Sequence, residues 1–342
     1  MTNSALTIHY IADILSFKTL TKTLEEMLSN PSFDWEVIVV QGSKHLVLPA
    51  LYCRLKERNL LHTLPTDLVD YLKEITNINR ARNVRILNQV RSISKILNAN
   101  NINHVFLKGT ALLALGCYKD NAERMVGDID ILIETSQAQE AFNLLKNSGY
   151  NKTSGFAYDK KDFRHLDRLI SEEELAAIEL HTGLLNKKNW ALIDIPGFIQ
   201  NKRIVNNIAI PNKESLIKHL ILSWQLNDHG HYYNAVSLKS IYDLISIKTH
   251  EEQVLLDNLL KLKYAKSYLE LAKFYFTEFQ NIESNNYMVF RKLMYDLKTS
   301  YKPITILINL TLYCIQYLGE RIFLICTNKS YTIHILKKAF KN

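Results

Sequence analysis

The sequence predicts an α+β fold in which a small mixed sheet forms a core between two helical regions. Glycine and proline number only 10 and 6 in 342 residues, and this scarcity favours long helices over many short strands joined by tight turns. Apolar residues recur at helical spacing in both outer thirds of the chain, whereas the segment between them shows strand alternation. We therefore expect an N-terminal helical region at 1–100, an α/β core at 101–211 and a C-terminal helical domain at 212–342.

The N-terminal region is predicted to consist of helices with one apolar face each. Its periodic segments are 20–29, 35–59 and 68–100. Pro65, followed by Thr66 and Asp67, is typical of a helix start. The last segment also carries a basic run, Arg80, Arg82, Arg85 and Arg91. A solvated face is the ordinary interpretation of such a run, and contact with phosphate groups is the alternative.

The core is predicted to alternate strands and helices. "HVFLKG" (104–109) is a short apolar strand and "TALLALGCY" (110–118) a helix. "VGDIDILIE" (126–134) is a strand, followed by a helix in 136–150 that ends near Gly149. "FRHLDRLIS" (163–171) and "LAAIELHTGLL" (175–185) alternate like a pair of strands. Together these segments predict a small module with a mixed sheet.

The C-terminal domain is predicted to be helical to its end, in segments 213–228, 235–248, 252–264, 266–280, 286–299 and 303–326. The last of these is long enough to raise the question of a membrane span. Asn309, Gln316, Glu320 and Arg321 interrupt it, and charged residues are costly at membrane depth. We therefore expect a buried or amphipathic helix there.

The chain ends in a basic tail, with no acidic residue after Glu320. A solvated terminus is the ordinary interpretation of such a tail, and contact with a membrane surface or RNA is the alternative. The net charge of +8 favours polyanionic partners in general: nucleotides, RNA or an anionic membrane.

The four cysteines, Cys53, Cys117, Cys314 and Cys326, form no CxxC pair. This spacing argues against structural zinc and against a disulfide framework. The first residues lack a basic segment before an apolar stretch, so no signal peptide is expected. Both observations favour a cytoplasmic protein.

Two aspartates in the second predicted strand are the main chemical signal. Asp128 and Asp130 are two residues apart, so their side chains project from the same face of the strand, while the intervening isoleucines face the core. Adjacent carboxylates repel each other and raise each other's pKa unless a cation lies between them. A hard divalent ion such as Mg²⁺ resolves this conflict, and a polar edge strand is the alternative.

Residues around the aspartates strengthen the metal hypothesis. Lys108, Gly109 and Thr110 lie where a strand passes into a helix, where backbone N–H groups and a lysine can bind phosphate. Glu179 stands alone among apolar residues on a strand that could lie beside the aspartates. Three carboxylates could hold two metal ions or supply a general base.

The segments "FLKGTALL", "GDIDILIE", "IELHTGLL" and "HLILSWQLNDHGHYYNAVSLKSIYDLIS" resemble the uncharacterised nucleotidyltransferases, a family of the DNA polymerase β-like nucleotidyltransferase superfamily. The resemblance extends over most of the chain, to about residue 250. Gly109, Asp128, Asp130 and Glu179 match the superfamily signature in turn. Thr110 replaces the usual Gly or Ser, and the spacer before Asp128 is longer than in the most compact members.

The resemblance implies nucleotidyl transfer with two Mg²⁺ ions, Mn²⁺ being an alternative, held by the three carboxylates. It also implies an NTP substrate, with ATP favoured. Lys108 and Arg124 would face the triphosphate, and we assign Gly109, Thr110 and Gly127 to nucleotide binding as well.

Histidines supply further candidates. His181 shares the face of Glu179 and could reach the site, as could His165, although a structural role is an equal interpretation for both. We expect structural roles for His219, His229 and His231, because their spacing does not form a metal-binding pattern, and a place in the lining of the acceptor pocket is the alternative.

We therefore expect an enzyme that moves an NMP group, AMP by preference, to a hydroxyl on a small molecule or protein. No RNA-binding motif occurs, so no stable nucleic-acid partner is expected. The alternatives are a catalytically silent nucleotide-binding or scaffold protein, and a toxin–antitoxin-type transferase acting on protein or tRNA. The acceptor and the oligomeric state are left open.

Overall fold

The computed structural model describes residues 3–155, 158 and 164–339. Its N-terminal helices are α1 (Asn3–Leu15), α2 (Thr21–Leu28), α3 (Trp35–Lys44), α4 (Leu48–Glu57) and α5 (Thr66–Ala99). The predicted start after Pro65 is confirmed. The single helical segment predicted at 35–59 is wrong, because Leu46 takes a left-handed conformation (φ 56°) that separates α3 from α4.

Five short strands form the central sheet: β1 (His104–Phe106), β2 (Ile129–Ile133), β3 (Lys152–Ser154), β4 (Arg168–Ile170) and β5 (Ile178–His181). Their order is β1-β2-β5-β4-β3, and only β2 and β5 run parallel to each other. The sheet is therefore mixed, as predicted. The predicted pairing of segments 163–171 and 175–185 is confirmed where β4 meets β5; residue 163 lies outside the described residues.

Two helices of the core complete the predicted alternation. Helix α6 (Lys108–Leu115) begins two residues before the predicted start, and Gly116, at φ 68°, ends it. Helix α7 (Ala138–Asn147) ends just before Gly149, which has a φ of 104°.

Hydrophobic layers cover both faces of the sheet. Ile129, Ile131 and Ile133 are fully buried in the main core, which also includes residues of the N-terminal and C-terminal helices. Leu132 points to the other face, into a second cluster that contains Phe198. The prediction that the isoleucines face the core is confirmed. The opposite face of β2, which carries Asp130, is also covered at the position of Leu132.

The segment after the sheet contains α8 (Ile195–Gln200) and a hairpin that was not predicted, β6 (Arg203–Val205) and β7 (Ile208–Ile210). Asn206 and Asn207 connect its strands with φ values of 50° and 63°. Two consecutive positive φ angles are typical of the type I′ turn of tight hairpins, and asparagine tolerates them.

The C-terminal helices are α9 (Lys213–Leu222), α10 (Gly230–Tyr233), α11 (Leu238–Ser246), α12 (Gln253–Leu259), α13 (Lys263–Tyr275), α14 (Asn286–Thr299), α15 (Lys302–Thr327) and α16 (Lys329–Ala339). A π-helical turn, Ser223–Asn227, continues α9. Glu278, after α13, accepts hydrogen bonds from the Ser16 hydroxyl (3.0 Å) and the Phe17 amide (2.6 Å), so the two outer regions of the chain contact each other.

Helix α15 corresponds to the predicted segment 303–326, for which we expected a buried or an amphipathic helix; of these two alternatives, the buried helix is wrong. None of its 26 residues is buried. Among the described residues, no helix combines the length and apolar character needed to cross a bilayer.

Candidate active site

Asp130 and Glu179 lie side by side at the centre of the sheet. The parallel register of β2 and β5 pairs these two residues directly, so both carboxylates project from one face. Both side chains are buried, with 5% and 9% of their surface exposed. Asp128 lies just before β2, and its side chain is 37% exposed. The expectation that the strand of Glu179 lies beside the aspartates is confirmed.

Three basic side chains surround this acidic cluster. The Lys108 ammonium donates to Asp130 Oδ1 at 2.7 Å, and His181 Nε2 lies 2.8 Å from the same oxygen. On the other side, Arg168 Nε donates to Glu179 Oε1 at 3.0 Å, and Arg168 Nη2 lies 3.4 Å from Asp128 Oδ2. The carboxylates are therefore held together by cations on both sides.

These contacts shift the protonation equilibria of the cluster. Burial alone would raise the pKa of Asp130, but the charges of Lys108 and His181 hold it well below its ordinary value. His181 and Arg168, acting against burial, lower the pKa of Glu179 to about 2. Burial and the neighbouring carboxylates raise the pKa of Asp128. Asp130 and Glu179 are therefore held in their charged form.

The imidazole of His181 belongs to the same cluster. Burial would lower its pKa, but the hydrogen bond with Asp130 and the proximity of Glu179, whose Oε2 lies 3.6 Å away, raise it above its ordinary value. Among the described residues, Asp130, Glu179 and His181 are the acidic, histidine or cysteine residues whose ligand atoms lie close enough to share an ion, within 4.8 Å of one another.

This donor set fits a divalent metal. A doubly charged ion would supply the compensation that Lys108 and Arg168 now provide, and carboxylate oxygens are the ligands that hard cations prefer. The predicted ligand set contained Asp128 in place of His181. The structure puts Asp128 at the edge of the cluster, connected to Glu179 through Arg168.

The start of α6 brings Lys108 to the cluster. Lys108 has a left-handed φ of 47°, rare for a residue with a side chain and often found at functional positions. Gly109 packs so closely that an added Cβ would lie 3.0 Å from Val126 Cγ2. The Thr110 hydroxyl is buried and donates to the Leu107 carbonyl at 2.8 Å, so its contact is with the backbone.

Arg124 is placed differently from Lys108. Its guanidinium is buried and donates through Nε to the two carboxylate oxygens of Asp243, at 2.8 and 3.1 Å. Tyr118 donates to Asp243 at 2.6 Å. Burial would lower the pKa of Arg124, but Asp243 and Tyr118 raise it. Arg124 thus connects the loop before β2 to helix α11.

The loop that carries Arg124 and Gly127 is hydrogen-bonded to the long helix α5. Asn83 Nδ2 donates to the carbonyls of Asn121 (2.6 Å) and Arg124 (2.7 Å), and Asn79 Nδ2 donates to the carbonyl of Ala122 at 2.7 Å. Sequence reasoning missed these asparagines. The sequence signal that could have found them is their position. The two amide side chains lie four residues apart on the buried face of an amphipathic helix, where polar groups need hydrogen-bond partners.

Gly127 itself is exposed. Its carbonyl accepts from Arg82 Nη2 at 3.2 Å, and Arg82 Nε donates to the Val126 carbonyl at 3.2 Å. This member of the basic run therefore binds the loop before Asp128 and is not merely solvated.

A cavity of about 310 Å³ opens beside Lys108, between α6 and the C-terminal helices. Its charged lining consists of Lys44, Lys108, Arg124, Lys239, Asp228 and Asp243. Four cations and two carboxylates thus line the cavity; Arg124 is already paired with Asp243, and Lys108 with Asp130 outside the lining. The excess positive charge favours an anionic ligand.

Among the other histidines named in the sequence analysis, His165 also lies near the acidic cluster. His165 Nε2 is 3.9 Å from Glu179 Oε2, and its ring lies 5.2 Å from that of His181. His219 packs edge-on against Phe198, and burial together with Lys108 lowers its pKa to about 3.

Two more histidines form hydrogen bonds with side chains of the C-terminal helices. The Gln316 amide lies 3.0 Å from His229 Nε2, and His231 Nδ1 lies 2.9 Å from the Ser267 hydroxyl.

The two arginines of "RHLDR" were also missed by sequence reasoning. Arg168 lies on β4, next to the strand of Glu179, and binds that carboxylate. Arg164 acts electrostatically on Lys108 and His165, and its buried Nε has no hydrogen-bond partner among the described residues. The available signal was the presence of two arginines in the segment that was predicted to pair with the strand of Glu179.

Comparison with known proteins supports a common origin for this arrangement. Among curated proteins, no match to the chain was found. The sequence profile of the family described as uncharacterised nucleotidyltransferase matches residues 31–276, a range that includes the central sheet and the acidic cluster. The chain therefore belongs to the uncharacterised nucleotidyltransferase family and is a nucleotidyltransferase.

Proposed function

We propose that the protein transfers an NMP group, AMP by preference, from an NTP to a hydroxyl of a small molecule or protein. The acceptor oxygen forms a bond to the α-phosphorus, the bond from that phosphorus to the bridging oxygen breaks, and pyrophosphate leaves. The observation that carries this proposal is the direct pairing of Asp130 with Glu179 beside the Lys108 ammonium, within a chain of nucleotidyltransferase ancestry.

Asp130 and Glu179 would hold divalent ions together with Asp128, and His181 stands close enough to contribute. Two Mg²⁺ ions, or Mn²⁺ in their place, would neutralise triphosphate charge and acidify the acceptor hydroxyl. Glu179 either completes this ligand set or accepts the hydroxyl proton. The contribution of the protein is positioning and charge compensation.

The triphosphate is proposed to lie along the cationic cavity. Lys108 is 29% exposed at its side chain and stands between the acidic cluster and the cavity, so its ammonium can exchange Asp130 for a phosphate oxygen. Lys44 and Lys239 line the same cavity and add positive charge. Arg124 supports this wall through Asp243. Gly109 and Thr110 keep the first turn of α6 close to the site.

We also propose that the reaction takes place in the cytoplasm. All four cysteines are free thiols, and unpaired cysteines are usual in a reducing compartment.

The experiment is label transfer. The purified chain is incubated with each of four α-labelled NTPs and Mg²⁺ or Mn²⁺, with and without cell lysate, and pyrophosphate release is measured. We expect ATP to be used best, and Asp130→Asn to abolish transfer. Asp257→Asn, the same chemical change at an exposed position, should leave transfer intact. Absence of both NTP binding and Asp130-dependent transfer would refute the proposal.

A catalytically silent nucleotide-binding protein is the second candidate. The observation that favours it is Arg168, whose guanidinium contacts both Asp128 and Glu179 and would compete with a metal for these carboxylates. Calorimetric binding of ATP with no pyrophosphate release, under all metal and lysate conditions, would select this candidate. A toxin–antitoxin-type transferase would instead label one protein or tRNA in the lysate.

A further inference from the structure

An ordinary surface helix turns its apolar side toward the protein and its polar side toward water. In helix α15, half of the residues on the inward side are polar, and the outward side is apolar. Its less exposed positions follow one side of the helix and are Thr305, Ile308, Asn309, Leu312, Gln316 and Leu324. Tyr233 donates to Gln316 Oε1 at 2.7 Å, and Tyr232 donates to the Leu312 carbonyl at 3.1 Å. This half-polar stripe therefore faces α10 and the rest of the protein.

The outward side of α15 is apolar. Ile306, Leu307, Leu310, Ile322 and Phe323 are 57–65% exposed. Of the thirty-two large hydrophobic residues that are exposed among the described residues, nineteen lie between 289 and 336, on α14, α15, α16 and their connections. Such a concentration of exposed apolar residues in one part of the chain is unusual on a soluble monomer and marks a region that contacts another apolar phase or partner.

The charges near this surface indicate which partner it fits. Residues Pro303–Gly319 carry no charged side chain, whereas the α15–α16 segment as a whole has five cations and one anion. The cations are Lys302, Arg321, Lys329, Lys337 and Lys338, and the anion is Glu320. The resulting charge of +4 over 302–339 would repel a second copy of the same segment, whereas it complements an anionic surface.

Two further contacts extend this pattern. The Arg321 guanidinium stacks on the Tyr317 ring at 4.0 Å, so its charge stays next to the apolar side. Lys188, from the loop after β5, lines a groove of about 1180 Å³ together with Phe323, Leu324 and Lys329. Apolar and cationic side chains are therefore interleaved, as in segments that lie at a lipid headgroup boundary.

We propose that α15 and α16 dock onto the surface of an anionic lipid bilayer. The outward apolar residues enter the boundary between headgroups and acyl chains, and the lysines and Arg321 contact anionic headgroups. The helix lies in the plane of the surface, since no described helix could cross a bilayer. This inference concerns where the protein works and does not depend on the proposed reaction.

The test is sedimentation of the full chain with vesicles. One vesicle preparation is pure phosphatidylcholine, and the other contains about a third phosphatidylserine or phosphatidylglycerol. We expect cosedimentation with the anionic vesicles at low salt and release at high salt, because the attraction of surface charges is screened. Removing both Lys337 and Lys338 (Lys337→Gln with Lys338→Gln) should weaken binding about fivefold for each lysine.

Matched variants separate charge from apolar contact. Leu310→Gln with Phe323→Gln should abolish binding, while Val254→Gln, at an exposed apolar position on α12, should not. Lys73→Gln with Lys95→Gln removes two exposed lysines from α5 and should leave binding unchanged. Circular dichroism checks that every variant is folded.

Two outcomes would overturn the inference. Equal binding to neutral and anionic vesicles would remove the role of the basic residues. A dimer in light scattering that Leu310→Gln with Phe323→Gln dissociates, without any vesicle binding, would assign the surface to a second copy.

Discussion

Replacing Asp243 by asparagine should test what Arg124 does. The substitution keeps the side-chain volume and one acceptor for Tyr118, but it removes the charge that faces the guanidinium. Asp243 and Arg124 have only 2% and 9% of their side chains exposed, so water and salt screen the pair little. Leaving one charge of a buried pair uncompensated costs about 3 to 5 kcal/mol. We expect Asp243→Asn to lower the free energy of unfolding by that amount.

The measurement is urea-induced unfolding monitored by tryptophan fluorescence, with linear extrapolation to water. The matched control is Glu252→Gln, which breaks a salt bridge of 2.6 Å with Lys213 whose side chains are 47% and 36% exposed. That change should cost less than about 1 kcal/mol. If Asp243→Asn costs no more than this control, the guanidinium has another counterion and the reasoning is wrong.

Three further predictions concern the site and its support. Asn83→Ala should lower the free energy of unfolding by about 2 kcal/mol in the same assay, because the buried carbonyl of Arg124 and the part-buried carbonyl of Asn121 each lose a donor; Asn88→Ala, at an exposed position of the same helix, is the control. Arg168→Gln should tighten Mn²⁺ binding in calorimetry about three- to tenfold, because the metal no longer competes with a half-exposed guanidinium. His45→Asn should reduce the loss of stability between pH 6.5 and 4, since burial lowers the pKa of His45 to about 4.

The sign of the last prediction follows from linkage. A histidine whose pKa is lowered by folding is protonated first in the unfolded chain, so stability is full above pH 6.5 and falls as the pH drops toward 4. His45 Nδ1 also lies 3.5 Å from the Leu238 amide, a contact that requires an unprotonated nitrogen. An unchanged pH slope in His45→Asn would contradict the prediction, as would unchanged or weaker Mn²⁺ affinity in Arg168→Gln, or equal stability of the two asparagine variants.

The part of the site that could be predicted from the sequence is the part that depends on local pattern. Asp128 and Asp130 alternate with isoleucines, so their shared face follows from strand geometry alone. Glu179 could be placed near them because it interrupts a second apolar strand, and the register of β2 and β5 confirms this adjacency. The helix predicted at 110–118 follows from the change of period after the first strand, although α6 begins two residues earlier, at Lys108.

The missing part depends on which distant segments pack together. Nothing near Arg124 in the sequence indicates that Asp243 is its partner, because the pairing is set by the position of α11 against the sheet. Periodicity likewise places Asn79 and Asn83 on a buried face but does not identify the carbonyls that they bind. Partner identity is a property of the tertiary fold, and a single sequence carries little of it.

The separation between Arg124 and Asp243 also constrains the order in which the protein matures on the ribosome. The two residues are 119 positions apart. At a synthesis rate of about 5 to 20 residues per second, the arginine is made on the order of ten seconds before its counterion exists. During that time the sheet cannot bury the guanidinium without leaving it uncompensated. The core therefore completes its folding only after α11 has been translated, which makes maturation of the central sheet a late event in synthesis.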